Sequence, residues 1–137
     1  MKKFILIMIL VSCFSVKAQD MSAETCIAEN GGADSIECLK NLYQKMNQEM
    51  DQLNEAVISS LDERAKQDVI TDTHQSSATL AFKRSVLDFK LYRESSCKSF
   101  TYYSGAVASG YGQQLYKCLI KQTDIHNQFL KSILELK

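Results

Sequence analysis

Apolar residues recur along the chain at helical spacing, and no alternating polar and apolar run reaches the length of a strand. From Leu39 to Val57 they follow at steps of three and four, and the spacing continues through Leu61 toward Val69. Such a stripe is typical of one face of a long amphipathic helix. Because only one side of this helix is apolar, we expect other helices to cover it.

Two further segments, residues 80–97 and 113–136, repeat the helical pattern. A short leading helix is expected over residues 22–30, and Gly31 and Gly32 then stop it. The chain contains no proline that would break these segments. The sequence therefore predicts an all-α fold, a small antiparallel three-helix bundle with a short leading helix.

Capping residues suggest where the long helices begin. Asp34 is followed three residues later by Glu37, which fits a capping box at the start of the first long helix. The connection to the second long helix is expected near residues 70–77, where Asp72 and Thr73 are polar capping residues and glycine is absent.

The start of the chain resembles an export signal. A basic MKK is followed by the apolar run FILIMILVSCF, which is too short to span a bilayer of about 30 Å. We expect residues 1–18 to be a signal peptide cut after Ala18. The alternative is lipobox cleavage before Cys13, within Leu10 to Cys13, and a lipid anchor on that cysteine.

Either route leaves one exported domain, residues 19–137, in the periplasm or secreted, or held at the outer membrane as a lipoprotein. No second apolar stretch reaches spanning length, so no transmembrane segment is expected.

Four cysteines follow the predicted signal peptide: Cys26, Cys38, Cys97 and Cys118. An exported chain favours disulfides, and four cysteines allow three connectivities. Cys26 with Cys38 and Cys97 with Cys118 would suit the helical layout best, but the sequence alone does not choose. Zinc is the rival use, yet zinc motifs place their ligands in closer pairs, so we expect two disulfides and no metal.

Charge is unevenly divided between the two halves of the predicted domain. Residues 19–72 hold 12 acids and 4 bases, whereas residues 73–137 hold 4 acids and 9 bases. Antiparallel packing of the halves would neutralise part of this charge. The functional alternative is an acidic face for a cationic partner.

Catalytic motifs are absent from the sequence. The two histidines, His74 and His126, stand apart, and we expect His126 to be a hydrogen-bonded surface residue on a helix flank. There is no nucleophile elbow, zinc-protease motif, phosphate-binding loop or paired-cysteine redox motif. We therefore expect a protein that is not an enzyme and has no catalytic residues or cofactor. Because its bases are scattered, no nucleic-acid partner is expected.

One segment has the composition of a contact surface. Between Cys97 and Cys118 the chain reads KSFTYYSGAVASGYGQQLYK, rich in tyrosine, serine and glycine. Such residues provide rigid amphipathic rings on an adaptable backbone, as in antibody paratopes. We expect a long disulfide-closed loop here; the alternative is that its aromatic residues fold back over the bundle end. The candidate partner-binding residues are Phe100, Tyr102, Tyr103, Ser104, Gly105 and Tyr111.

A family resemblance rests on the second half of the chain. The string FKLYRESSC, Phe89 to Cys97, followed by a glycine-containing loop and CLIKQT at Cys118, resembles the LprI-type lysozyme inhibitors. The pair Leu53 and Asn54 is similar to that family's leucine-asparagine step. The resemblance spans most of residues 19–137. The family usually has tryptophan, glutamine, arginine and an aromatic residue at positions 89, 86, 126 and 57, so this would be a divergent member.

The resemblance implies a small helical envelope protein that binds and blocks a lysozyme. The alternative from a different class is a non-catalytic structural or adaptor module of the envelope that binds another protein or the cell wall. The inhibitor would need a surface complementary to a cationic enzyme and a protrusion that enters a saccharide cleft.

Three residues of the resembling segments have expected structural roles. We expect the Tyr92 ring to be buried, and the Arg93 guanidinium to pair with the acidic first helix or cap carbonyls near the disulfide. Asn54 is expected to be a buried, hydrogen-bonding residue that fixes helix register.

Overall fold

A computed structural model describes residues 22–136, and these residues form helices without any strand. The four helices are α1 (Ala23–Glu29), α2 (Gly32–Lys66), α3 (Asp72–Tyr103) and α4 (Ser109–Leu134). The all-α prediction is therefore confirmed. None of the helices in this range is long and apolar enough to cross a bilayer. The predicted signal peptide, residues 1–18, and the candidate lipid anchor Cys13 lie outside the described residues.

The short leading helix begins and ends as expected, but the predicted cap of α2 is wrong. The Ser22 side chain caps α1 by accepting from the Thr25 amide at 3.1 Å. In contrast, α2 begins at Gly32, and its N-cap Gly31 offers no side chain. Asp34 lies inside the first turn because its own amide already bonds to the Gly31 carbonyl.

A five-residue turn, residues 67–71, connects α2 to α3. Asp68 adopts a φ of 56°, a left-handed conformation that aspartate tolerates better than most residues, so the chain reverses without a glycine. The Thr71 side chain caps α3 by accepting from the His74 amide. The cap therefore lies at Thr71 and not at Asp72 or Thr73.

Contacts between helices give their relative directions. Asn47 and Asp51 on α2 bond to Arg93 and Lys90 on α3, so these helices run antiparallel. Two groups of buried apolar residues fill the space between the helices. The first group is Ala23, Cys26, Leu39, Leu42 and Ile120, and the second is Met50, Val57 and Leu130.

Both expected disulfides are confirmed. Cys26 bonds to Cys38 and joins α1 to α2, while Cys97 bonds to Cys118 and joins α3 to α4. Each closes a short segment, of 12 and 21 residues in separation. In chain-entropy terms a loop of this size contributes about 3 kcal/mol, a large share of the net stability of a small domain.

Ion pairs link the acidic α2 to the more basic second half. Lys90 Nζ lies 2.9 Å from Asp51 Oδ1, and Lys131 Nζ lies 2.7 Å from Glu49 Oε1. These pairs agree with the expectation that the two halves pack together and partly neutralise each other.

Candidate partner-binding surface

The tyrosine-rich segment is not the long loop that its composition suggested. Helix α3 continues through Phe100, Tyr102 and Tyr103, and α4 begins at Ser109. Only residues 104–108 connect them. The expected loop is therefore mostly helical, and the Cys97–Cys118 disulfide clamps the ends of two helices.

Hydroxyl side chains support the last turns of α3. Thr101 Oγ1 donates to the Cys97 carbonyl at 2.8 Å, and Ser104 Oγ donates to the Thr101 carbonyl at 2.7 Å. Serine and threonine are tolerated in helices when they bond back in this way. The helix ends at Gly105, which adopts a left-handed φ of 69°. Because glycine has no Cβ, it takes this conformation without the steric penalty that other residues meet.

Two glycines that seemed to belong to the loop lie in the first turn of α4. Gly112 packs against α2, where a Cβ added to it would lie 2.9 Å from Ile36 Cδ1. The neighbouring Gln113 donates from Nε2 to Ser35 Oγ at 2.8 Å. Close packing against α2 therefore explains Gly112, whereas none of residues 22–136 lies within 4 Å of a Cβ added to Gly110.

The clamped end carries a group of aromatic and apolar side chains, most of them exposed, which we call the aromatic end: Phe100, Tyr102, Tyr103, Val107 and Tyr111. Tyr103 is 91% exposed and Tyr102 is 72% exposed. Phe100 and Val107 are also exposed, and Tyr111 is half-buried. The alternative, in which all these rings fold back over the bundle, does not hold for the described structure.

One pair of rings in the aromatic end is held together. The Tyr102 and Tyr111 rings lie 5.5 Å apart between centroids and are tilted by 52°. Interaction with the Tyr102 hydroxyl, followed by burial, raises the pKa of Tyr111 above its usual value. The pair links the last turn of α3 to the first turn of α4, so Tyr102 is oriented before any partner arrives.

The two remaining candidate residues, Ser104 and Gly105, lie at the turn between the helices. Both are exposed. The structure therefore brings all six candidate residues to one end of the bundle, although four of them are helical and not in a loop.

A shallow concavity of about 1040 Å³ lies beside the aromatic end. It includes Tyr92 and Phe100 of α3 together with Lys117 and Lys121 of α4. Its lining comes from all four helices and from opposite sides of α4, so it is a pair of adjoining grooves and not an enclosed pocket.

Arg93 is the main polar residue of the interior, with 2% of its surface exposed. Its Nη1 donates to Asn47 Oδ1 at 2.8 Å on α2 and to Thr123 Oγ1 at 2.7 Å on α4. The guanidinium also lies 5.1 Å from the Tyr43 ring centroid and 5.4 Å from that of Phe89. Arg93 therefore connects α3 to both α2 and α4 from one position.

The expected partners of Arg93 and the expected burial of Tyr92 are both wrong. Among residues 22–136 no carboxylate forms an ion pair with Arg93. Tyr92 is 64% exposed. Phe89, Arg93 and Cys97 are spaced four residues apart and share the inward face of α3, which turns Tyr92 toward the groove.

Leu53 and Asn54, the two residues of α2 that resemble the family's leucine-asparagine step, have different surroundings. Leu53 is half-buried against the apolar group around Met50. Asn54 is buried, as expected, but neither its Oδ1 nor its Nδ2 forms a hydrogen bond within residues 22–136. The expected bond that fixes helix register is therefore not found.

His126 lies in the helix interface and is not a hydrogen-bonded surface residue. Its ring stacks on Phe89 at 3.9 Å between centroids and 11° between planes. Its Nε2 is buried without a hydrogen bond inside the described range. Burial, and then the nearby Arg93 charge, lower the pKa of His126 below its ordinary value. A neutral imidazole thus packs as an aromatic ring.

The described residues hold no group of three or more histidine, cysteine, aspartate or glutamate side chains that could bind a metal ion.

Comparison with protein-family models, with curated proteins and with solved structures finds no match to this chain. The resemblance to LprI-type inhibitors thus stays a prediction.

Sequence reasoning missed the buried polar residues of α4. Thr123 and Asn127 are buried on α4, and the Thr123 hydroxyl donates to the Leu119 carbonyl while it accepts from Arg93. Asn127 Nδ2 donates to the Met46 carbonyl at 3.2 Å. The signal was present, because Thr123, Asn127 and Leu130 continue the apolar stripe of α4 at steps of four and three.

Proposed function

We propose that this protein is an exported, non-catalytic envelope protein that binds a lysozyme through its aromatic end and blocks it. The observation that carries the proposal is the exposure of Tyr102 and Tyr103 at a bundle end clamped by the Cys97–Cys118 disulfide. Lysozyme as the partner, and membership of the LprI-type family, are supported by the resemblance of the segment from Phe89 to Cys97. We treat the fold as a three-helix antiparallel bundle, with α1 as its short leading helix.

The chemistry of the aromatic end suits protein recognition. Tyrosine rings provide large contact area with few rotatable bonds, and tyrosine is common among residues that dominate binding energy. A hydroxyl at each ring tip can bond to the polar groups of a saccharide cleft. Because the disulfide and the Tyr102–Tyr111 contact already restrain this end, less order has to be gained on binding.

Acidic residues lie next to the aromatic end. Asp34 and Glu37 are exposed in the first turns of α2. The adjacent Ser35 and Ile36 contact Gln113 and Gly112 at the start of α4, which places these turns beside the aromatic end. Negative charge at this location favours the approach of a cationic enzyme and raises the association rate at low salt.

A lysis assay tests the proposal. Purified protein, with its disulfides formed, is mixed with lysozyme and a peptidoglycan suspension, and turbidity is followed. Inhibition is expected near an equimolar ratio, and Tyr102→Ala with Tyr103→Ala should relieve it. Tyr92→Ala is the matched control, since Tyr92 is a similarly exposed tyrosine of α3 outside the aromatic end. Unchanged lysis at a molar excess on the order of tenfold, across several lysozyme classes, would remove the proposal.

The second candidate function is a structural or adaptor module of the envelope. The grooves beside α4 favour it, because they place exposed Tyr92 and Phe100 near Lys117 and Lys121. A pull-down from envelope extract that returns one stable partner other than lysozyme, and that loses it with Tyr92→Ala, would support this function. Retention by the Tyr92→Ala variant would place the contact elsewhere.

A further inference from the structure

The outward face of α3 carries three exposed leucines. Leu80, Leu87 and Leu91 are 73%, 63% and 68% exposed. At about 100° per residue they fall within about 40° of one another, on a single stripe. The stripe lies roughly opposite the buried Arg93, so the rest of the bundle does not cover it. Helix α3 is therefore apolar on two sides.

Two charged residues flank this leucine stripe on one side. Arg84 and Asp88 lie one turn apart, with 84% and 68% of their side chains exposed, and Arg84 Nε lies 3.9 Å from Asp88 Oδ2. Arg84 lies two residues before position 86 and Asp88 lies two residues after it, on the same edge of the stripe. A two-fold axis at position 86 would therefore bring the positive residue of one copy next to the negative residue of the other. When two such helices pair in antiparallel directions, Arg84 of each copy faces Asp88 of the other.

We infer that the stripe of Leu80, Leu87 and Leu91 binds a second copy of this chain, as an antiparallel α3 pair about a two-fold axis near position 86. In this arrangement Leu80 packs against Leu91 of the other copy, Leu87 lies near the axis, and two symmetric Arg84–Asp88 ion pairs fix the register. An isologous contact of this kind closes at two copies and leaves no open end.

The size of the stripe sets the expected strength. From Leu80 to Leu91 the stripe extends about 17 Å along the helix, which is short beside interfaces that bury about 800 Å² on each partner. We therefore expect a concentration-dependent dimer and not a permanent one. The aromatic ends point outward, since Tyr102 lies 16 residues from the axis and the two copies of it would be about 48 Å apart. The inference does not rest on the proposed function, but it would make the protein bivalent.

Sedimentation equilibrium of the full disulfide-bonded protein tests the inference. Between about 1 µM and about 1 mM, a range that brackets transient interfaces, the average mass is expected to rise toward two chains. Arg84→Glu and Asp88→Arg should each weaken dimerisation at least about tenfold, because each places like charges together. The double variant Arg84→Glu with Asp88→Arg restores opposite charges across the axis, so it should recover the dimer.

Lys83→Glu is the matched control. It changes the charge by the same amount one residue away, on the flank that does not face Asp88 of the other copy, and it should dimerise at least as well as wild type. Circular dichroism checks that each variant is helical. A wild-type mass that stays at one chain throughout the range would overturn the inference. So would a dimer that either single variant leaves unchanged, or a double variant weaker than both singles.

Discussion

Arg93 Nη1 donates to Thr123 Oγ1 at 2.7 Å, and the same hydroxyl donates to the Leu119 carbonyl at 2.7 Å. The guanidinium is thus buried between aromatic rings and bonds to neutral acceptors. No carboxylate among the described residues forms an ion pair with it. A buried cation of this kind is stable only when its contacts are well placed. This bond connects the C-terminal half of α3 to the middle of α4, about one turn from the Cys97–Cys118 disulfide, and so helps to position the aromatic end.

Replacing Arg93 should therefore destabilise the fold. Arg93→Ala removes the two hydrogen bonds to Asn47 and Thr123 and the packing between rings, and we expect a loss of about 3 kcal/mol in the free energy of unfolding. Urea unfolding followed by circular dichroism measures it. Lys98→Ala on the exposed side of α3 is the control and should change stability by less than about 0.5 kcal/mol. A similar small effect for Arg93→Ala would contradict this structural role.

Replacing Asn54 should stabilise the fold, in contrast to replacing Arg93. Its amide is buried without a hydrogen bond among the described residues, so Asn54→Leu, of similar size, should increase the free energy of unfolding by about 1–2 kcal/mol. Asn41→Leu at an exposed position of the same helix should have little effect. If Asn54→Leu lowers stability, the amide has a partner or a register role that outweighs its burial.

Stability should also depend on the protonation of His126. Burial and Arg93 lower its pKa in the folded protein, so the unfolded chain binds the proton more readily. The contribution of His126 to the free energy of unfolding should be fully present above the ordinary histidine pKa of about 6.5. It should decrease as the pH falls through and below that value. Unfolding curves of wild type and His126→Gln between about pH 7.5 and about pH 5 provide the comparison. The variant should lose the extra pH dependence; equal slopes would show that His126 titrates normally.

The two glycines at the start of α4 make a paired prediction. Gly112→Ala forces a Cβ against Ile36 Cδ1, Cγ1 and Cγ2, at 2.9, 3.2 and 3.3 Å, and should cost about 1 kcal/mol. Gly110→Ala meets no atom of the described residues and should gain about 0.5 kcal/mol from better helix propensity. Adding Ile36→Val to Gly112→Ala removes the nearest atom, and part of the loss should return. Thermal unfolding compares all four proteins, and stabilisation by both alanines would show that α2 and α4 are farther apart here.

The spacing of apolar residues was sufficient to predict the fold class and the approximate positions of the helices, because burial on one face imposes a regular period. The helical layout also favoured the disulfide pairing that the structure shows, although the sequence alone did not choose among the three connectivities. Tyr92 and Arg93 show where the period becomes ambiguous. They are adjacent at the edge of the stripe, and hydrophobicity favours the tyrosine, whereas the spacing from Phe89 to Cys97 places the arginine inside.

The length of α3 was misjudged for a different reason. Serine, threonine, tyrosine and glycine are typical of loops, but Thr101 and Ser104 bond back to their own helix and so remove the reason for it to end. These hydrogen bonds join residues three or four positions apart in the same helix. A prediction based on amino-acid composition alone does not take such bonds into account. The exposure of Tyr103 depends on the last turn of α3 and on tertiary packing, which the sequence pattern does not fix.

We propose that the aromatic end binds lysozyme, and a titration calorimetry series measures this binding. Lysozyme is titrated with wild type, Tyr103→Ala, Tyr102→Ala and the control Tyr92→Ala, all with both disulfides formed. We expect one site per chain, binding at least about tenfold weaker for Tyr102→Ala and Tyr103→Ala, and an unchanged dissociation constant for Tyr92→Ala. No binding by wild type, or equal binding by all four proteins, would contradict it.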